Sequence, residues 1–160
     1  MPDLAWPDAP YARYRTEVRA EWIDYNGHLH DAGYAAVLSE ANEVLLADLG
    51  LSADYHASTG HALYTVECHI RYLAESRQGD VLAAASLLVG ANPKRLRVHT
   101  LLSRADGTQI ATGEHLYLHV DQATGTVTAM SADRWTAVEA LLSAHAALDR
   151  PEHLGRGIGA

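Results

Sequence analysis

Residues 24–31 read Asp-Tyr-Asn-Gly-His-Leu-His-Asp, an acid, an amide and two imidazoles on a glycine turn directly ahead of a long helical pattern. A helix start carries unpaired N–H groups and the positive end of the macrodipole, which suits an anion forming on a bound carbonyl. Asp24 lies just upstream, placed to act as a base or a nucleophile. Asn26 and His28 either orient a reacting carbonyl or bond within the turn, as both residue types often do.

A second carboxylate, Glu67, shares a strand face with His69 and Arg71. It serves either in an ion pair or in an acyl pocket, holding water or facing a cation. A cationic group would also be drawn to aromatic faces, for which Trp22, Tyr25, Tyr64 and Tyr72 are the candidates beside ordinary packing roles. Lys94-Arg95-Leu96-Arg97 follows the turn signal Asn92-Pro93. This local basic cluster is either a solvated strand edge or a dock for a phosphorylated ligand, because Lys and Arg bind phosphate through charge-assisted hydrogen bonds.

The elements that must position these groups run strand, helix, then a series of strands. Tyr11 to Tyr25 is rich in β-formers and reads as a first strand with a bend near Val18, Trp22 and Ile23. From about Ala32 to Leu49, Val37, Leu38, Ala41, Val44, Leu45, Leu46 and Leu49 recur at helical spacing, with Gly50 as the stop. Ala62 to Tyr72 alternates Tyr64, Val66, Cys68, Ile70 and Tyr72 against Thr65, Glu67, His69 and Arg71, the pattern of a half-buried strand. Val81–Val89, Arg95–Arg104 and Gln109–Asp121 follow as strands, joined at Asn92-Pro93 and Ala105-Asp106-Gly107 by hairpin-like turns. A last helix spans about Asp133 to Leu148, and the glycine-bearing tail from about residue 150 reads as loosely ordered. One long helix and tightly connected antiparallel strands define an α+β layer, a curved sheet wrapped around the helix. Its edges are exposed, so pairing between two copies is the expected way to close it.

At 160 residues with 48% apolar content, the chain has the length and composition of a single globular domain spanning residues 1–160. Neither a signal peptide nor a membrane-spanning apolar run is legible, which predicts a cytoplasmic protein without a membrane partner. A net charge of −8, with Lys94 the only lysine, argues against a nucleic-acid partner. Cys68 stands alone, so no internal disulfide is expected, and its neighbours Val66 and Ile70 predict a buried, inert thiol. Of ten histidines, the pairs His28/His30 and His115/His119 complete no metal-ligand set, and no metal or cofactor is expected.

The succession Asp24-Tyr25-Asn26-Gly27-His28 with Tyr34, then the long helix and the strands, resembles the hotdog-fold thioesterases of the 4-hydroxybenzoyl-CoA thioesterase type over essentially the whole chain. More narrowly, residues 64–73, Lys94-Arg95-Leu96, Ala111-Thr112-Gly113-Glu114, Leu118-His119-Val120-Asp121, Arg150-Pro151 and Gly155-Arg156 are similar to the betainyl-CoA thioesterases of carnitine degradation. The resemblance implies a hotdog fold, a homodimer or a dimer of dimers with sites at the subunit interface, and an acyl-CoA substrate whose coenzyme A lies along that interface. It also implies that Asp24 is the catalytic carboxylate and that a backbone N–H near Asp31 is the oxyanion donor. Many relatives carry two asparagines where this chain has His30-Asp31, which places a negative side chain beside that donor. On this reading Glu67 and the Lys94, Arg95 and Arg97 cluster serve the substrate.

Thioester hydrolysis needs a nucleophile or activated water and oxyanion stabilisation, but no strong general acid, because the thiolate leaves readily. One carboxylate at a helix mouth is chemically sufficient. Two other classes compete: a hotdog enoyl-CoA hydratase or dehydratase, whose Asp and His signature this turn matches only out of register, and a noncatalytic acyl-CoA-binding module.

Overall fold

The computed structural model describes residues 10–157. Strand β1 (Tyr11–Glu17) is followed by a 3-10 turn at Ala20–Trp22, then helix α1 (Asp31–Asp48) and the short helix α2 (Ala53–Thr59). Strands β2 (His61–Tyr72), β3 (Val81–Asn92), β4 (Arg95–Arg104), β5 (Gln109–Asp121) and β6 (Thr126–Val127) precede helix α3 (Ala132–Ala146). The sheet order is β1-β3-β4-β5-β2, every pairing antiparallel, with β6 added beside β5. The expected curved sheet around one long helix is present. The first strand, however, ends at Glu17 rather than Tyr25, because Val18 and Trp22 turn inward into the core.

The inner face of the sheet holds α1 along its length. Val37, Leu38 and Ala41 pack with Leu82, Leu102, Ile110 and Ala111 near the helix start. Leu45, Leu46 and Leu49 pack with Leu88, Leu96 and Val98 further on, where Val138 and Leu141 of α3 close the end. These residues are essentially removed from water, and each fully buried aliphatic side chain contributes roughly 1.5–3 kcal/mol of transfer free energy. A polar chain crosses this interior: Asn42 of α1 donates to Tyr117 Oη at 2.9 Å, Thr100 Oγ1 donates to Asn42 Oδ1 at 2.8 Å, and Ser86 Oγ meets Thr100 Oγ1 at 2.9 Å. It fixes the rotation of α1 against β3, β4 and β5, because a misplaced helix would leave several buried polar groups unpaired.

Strand β2 departs from the half-buried expectation. It lies at the sheet edge, paired only with β5, so Tyr64, Val66, Glu67, Cys68 and Tyr72 are exposed. A bulge at Val66 also shifts the register between Thr65 and Glu67. A single extra residue reverses which face the following side chains take. Thr65 therefore opposes Tyr117 and Cys68 opposes His115 on the inner face, while Tyr64 opposes Leu118 and Glu67 opposes Leu116 on the outer one. Tyr64 thus sits on the face of Glu67 and His69, not with Cys68, Ile70 and Tyr72.

The chain after α3 does not hang free. Asp149, Arg150 and Pro151 lie beside Leu87 and Val89 of β3, and Gly155 donates its N–H to Glu114 Oε2 of β5 at 2.8 Å. The register sets His99 of β4 between Leu87 and Glu114, beneath that crossing, and His99 is buried. Through Gly157 the tail is part of the outer face.

Candidate active site

The Asp24 turn is a small closed hairpin. Ile23 and Leu29 form a bridge, Asp24 N–H donates to the His28 carbonyl at 2.9 Å, and Gly27 N–H donates to the Asp24 carbonyl at 3.0 Å. Gly27 has a φ of 80°, the left-handed conformation that favours glycine at the head of such a turn. The carboxylate is held from within: Oδ1 accepts the N–H groups of Asn26 at 2.8 Å and His28 at 3.3 Å, and Oδ2 accepts the Asn26 side-chain amide at 3.3 Å. Partial desolvation opposes ionisation, but these hydrogen bonds and the nearby His28 prevail and hold the Asp24 carboxyl below its ordinary value of 3.8. A carboxylate offers about four lone-pair positions. Three are taken here, and the open one is on Oδ2.

The turn feeds directly into α1. His30 is the N-cap, its Nδ1 accepting the Gly33 N–H at 2.9 Å, while Asp31 Oδ1 takes the Ala32 N–H at 2.8 Å. His30 and Asp31 thus cap the first turn, with His30 Nδ1 as the accepting ring nitrogen. The Asp31 N–H has no acceptor among the described residues. His28 is engaged elsewhere, its Nε2 3.2 Å from Glu75, and Leu29 N–H ties the turn to Ser76 at 2.8 Å.

The aromatic candidates divide. Trp22 is in the core with Leu29 and Val37, and Arg19 covers its ring at 4.3 Å, so it offers no face to a ligand. Its expected substrate contact gives way to packing, because the 3-10 turn points it inward. Tyr25 at the tip of the turn is 97% exposed. Tyr64 is exposed on the outer face and accepts a hydrogen bond from Gln122. Tyr72 meets Tyr34 edge-to-face at 5.3 Å, and burial, then the charges of Asp31 and Cys68, raise its pKa. The ring contact with Tyr34 puts the first turn of α1 beside the edge strand.

On the outer face a cleft of about 700 Å³ is lined by Glu67, Cys68, His69, Arg95, Arg97 and Glu114 among others. Arg97 is ion-paired with Glu114, which is half-buried, and Glu67 has no hydrogen bond or ion pair among the described residues. The structure thus brings Glu67, Arg95 and Arg97 together and leaves Lys94 outside the lining, exposed at the hairpin. Cys68 is exposed rather than buried, since β2 is an edge, yet its Sγ rests 3.2 Å from His115 Nε2 and partial burial pushes the thiol pKa up. The expected burial is thus corrected, while the raised pKa favours the protonated thiol. Among the described residues no cluster of His, Cys, Asp and Glu is arranged to hold a metal.

A curved antiparallel sheet wrapped around one long helix is the architecture of the hotdog thioesterases. The Thioesterase-like superfamily matches residues 18–146, and the chain belongs to that family. It is 40% identical over 147 residues to the betainyl-CoA thioesterase of Pseudomonas aeruginosa, covering 91% of this chain and 92% of that protein. It is 42% identical over 153 residues, 96% of its length, to the L-carnitine dehydrogenase/betainyl-CoA thioesterase of Agrobacterium fabrum, of which it spans 31%. Among solved structures, Staphylococcus aureus SAV2348 in complex with CoA superposes with a TM-score of 0.86 at 28% identity, covering 92% of this chain and 93% of that one. The 1,4-dihydroxy-2-naphthoyl-CoA thioesterase Slr0204 of Synechocystis, at 21% identity and a TM-score of 0.71 over 86% and 97% of the two chains, shares the fold.

Proposed function

We propose that this chain hydrolyses a short cationic acyl-CoA, betainyl-CoA, to the free acid and coenzyme A, with Asp24 as the carboxylate of the reaction. The observation that carries the reading is the ionised Asp24 with one open Oδ2 position, set one turn ahead of a helix mouth. The match to a stand-alone relative of nearly the same length supports the substrate. Asp24 acts either by taking a proton from water or by attacking the carbonyl itself. By the first route the water oxygen bonds to the carbonyl carbon, the C–S bond breaks, and coenzyme A leaves as thiolate. The free Asp31 N–H is the donor for the transient oxyanion, since the Ala32 and Gly33 N–H groups are taken by their own caps. Asn26 and His28 hold Asp24 in place through their N–H groups and the Asn26 amide. Glu67, unpaired in the outer cleft, attracts the cation.

A second copy of this chain completes the site on this reading. Strand β2 is a 12-residue edge with Val66 and Tyr72 exposed, and Arg71 keeps a buried Nη1 without an acceptor among the described residues. Edges of this kind invite pairing. No helix among the described residues is long and apolar enough to cross a membrane. The test is release of free thiol from a panel of acyl-CoA esters, with sedimentation of the same sample. Rapid thiol release from betainyl-CoA without added metal or nucleotide, by a dimer or larger assembly, is expected. No release from any ester in the panel would end the reading.

A further inference from the structure

The outer cleft contains three arginines, and they are not equivalent. Arg97 is committed to Glu114, and Glu114 in turn accepts the Gly155 N–H at 2.8 Å. Arg95 and Arg156 line the same cleft, and neither has an ion pair among the described residues. Arg156 reaches it only because the tail folds back over the sheet and turns at Gly155. That turn is specific to glycine on two counts. Its φ is 74°, and an added Cβ would lie 3.0 Å from the Arg97 guanidinium. Arg97, Glu114 and Gly155 thus form a latch that seats the tail and leaves two unpaired guanidiniums facing one cavity. On a chain of net charge −8, two exposed arginines that line one cleft without an ion pair among the described residues suit a multiply charged anion.

We propose that the folded-back C-terminal turn is a wall of the nucleotide site, with Arg156 and Arg95 gripping the phosphates of coenzyme A while Arg97 only holds the latch. The proposal takes the identity of the anion from the thioesterase reading. Phosphate recognition thereby moves from the Lys94–Arg97 hairpin alone to a pair contributed by β4 and the far end of the chain. Lys94 falls outside the lining and Arg97 becomes a positioning residue. Gly155 and Glu114 are likewise positioning residues, acting through Arg156.

The test is calorimetric titration of the full-length protein with coenzyme A and, separately, with adenosine 3′,5′-bisphosphate at low ionic strength. Arg156→Gln should weaken both about tenfold, the loss of one charge-assisted contact to phosphate, and the deficit should shrink in high salt. Gly155→Ala should move affinity in the same direction by misplacing Arg156, with the hydrolysis rate at saturating acyl-CoA little changed. Arg15→Gln, an equal charge change on exposed β1, controls for net charge and should stay within about twofold by the weakness of remote screened charges. Wild-type affinity in Arg156→Gln for either ligand would overturn the proposal while leaving hydrolysis intact. A wild-type protein that neither binds coenzyme A nor releases thiol would overturn the reading beneath it as well.

Discussion

The Asp24 turn and the Glu67 cleft each present a carboxylate, and they are built in opposite ways. Asp24 is bound by three hydrogen bonds from its own turn, ionised, and left with one open position. Glu67 stands on an exposed edge strand with no hydrogen bond or ion pair among the described residues, beside the Arg97–Glu114 pair and Arg95. A charge that must react gains from being fixed, because reorganisation is then already complete when the substrate arrives. A charge that must recognise gains from being unpaired, because the ligand supplies its counter-ion. On the proposed reading, chemistry belongs to the turn and selection to the cleft.

The strongest way to break this division is Asp24→Asn, which keeps shape and most hydrogen-bonding capacity but removes the charge. Steady-state kcat should fall by about 10²-fold or more while the thermal midpoint and coenzyme A affinity change little. A near-normal kcat in a folded variant would move the reaction to the cleft.

Next in size is an effect on the scaffold that both regions share. Asn42→Ala should cost about 1–3 kcal/mol in urea unfolding, since Tyr117 and Thr100 lose a buried partner. Activity at saturating substrate should survive in the folded fraction, because the polar chain sets the seat of α1 rather than its mouth.

Acid should act on the two regions through different groups. Burial holds His99, His115 and His145 below their ordinary value of 6.5, and His145 Nδ1 accepts the Leu88 N–H at 2.8 Å in its neutral form. The unfolded chain binds these protons more readily, so stability should be level above about pH 6.5 and decline as pH falls through that value. Asp24, held below 3.8, adds stability present above that pH and lost only below it. Urea midpoints from pH 8 to pH 5 would check the sign. A protein that becomes more stable on acidification would contradict the burial of these imidazoles.

Much of this architecture was legible in the residue pattern, and the exceptions have identifiable causes. Helix α1 declared itself through a stripe of Val and Leu ending at Gly50, and β2 through its alternation. Helix α2 carries no buried residue, so no periodicity could reveal it. The bulge at Val66 falls within an unbroken alternating run, and alternation alone cannot show the extra residue that turns Tyr64 to the outer face. Asn42 interrupts an apolar stripe without signalling that Thr100 and Tyr117 wait across the core. At the site, Asp24 was legible as a candidate because an acid on a glycine turn lies directly ahead of a helix start. The place of Arg156 in the cleft was hidden, because a glycine-rich tail reads as loose until the Glu114 contact shows where it docks.

The smallest expected effect belongs to the cleft carboxylate. Glu67→Gln should raise KM for a cationic acyl-CoA by about fivefold or less, in keeping with a partly exposed charge, and leave neutral esters unaffected. Equal losses for cationic and neutral esters would sever Glu67 from selection.

Single-turnover release of coenzyme A under excess enzyme, compared for Asp24→Asn and Glu67→Gln on the same acyl-CoA, isolates bond cleavage from product release and bears most directly on the assignment. The account predicts a loss of about 10²-fold for Asp24→Asn and a rate within a few-fold of wild type for Glu67→Gln. The reverse order, with Glu67→Gln stalled and Asp24→Asn cleaving at the native rate, would contradict it.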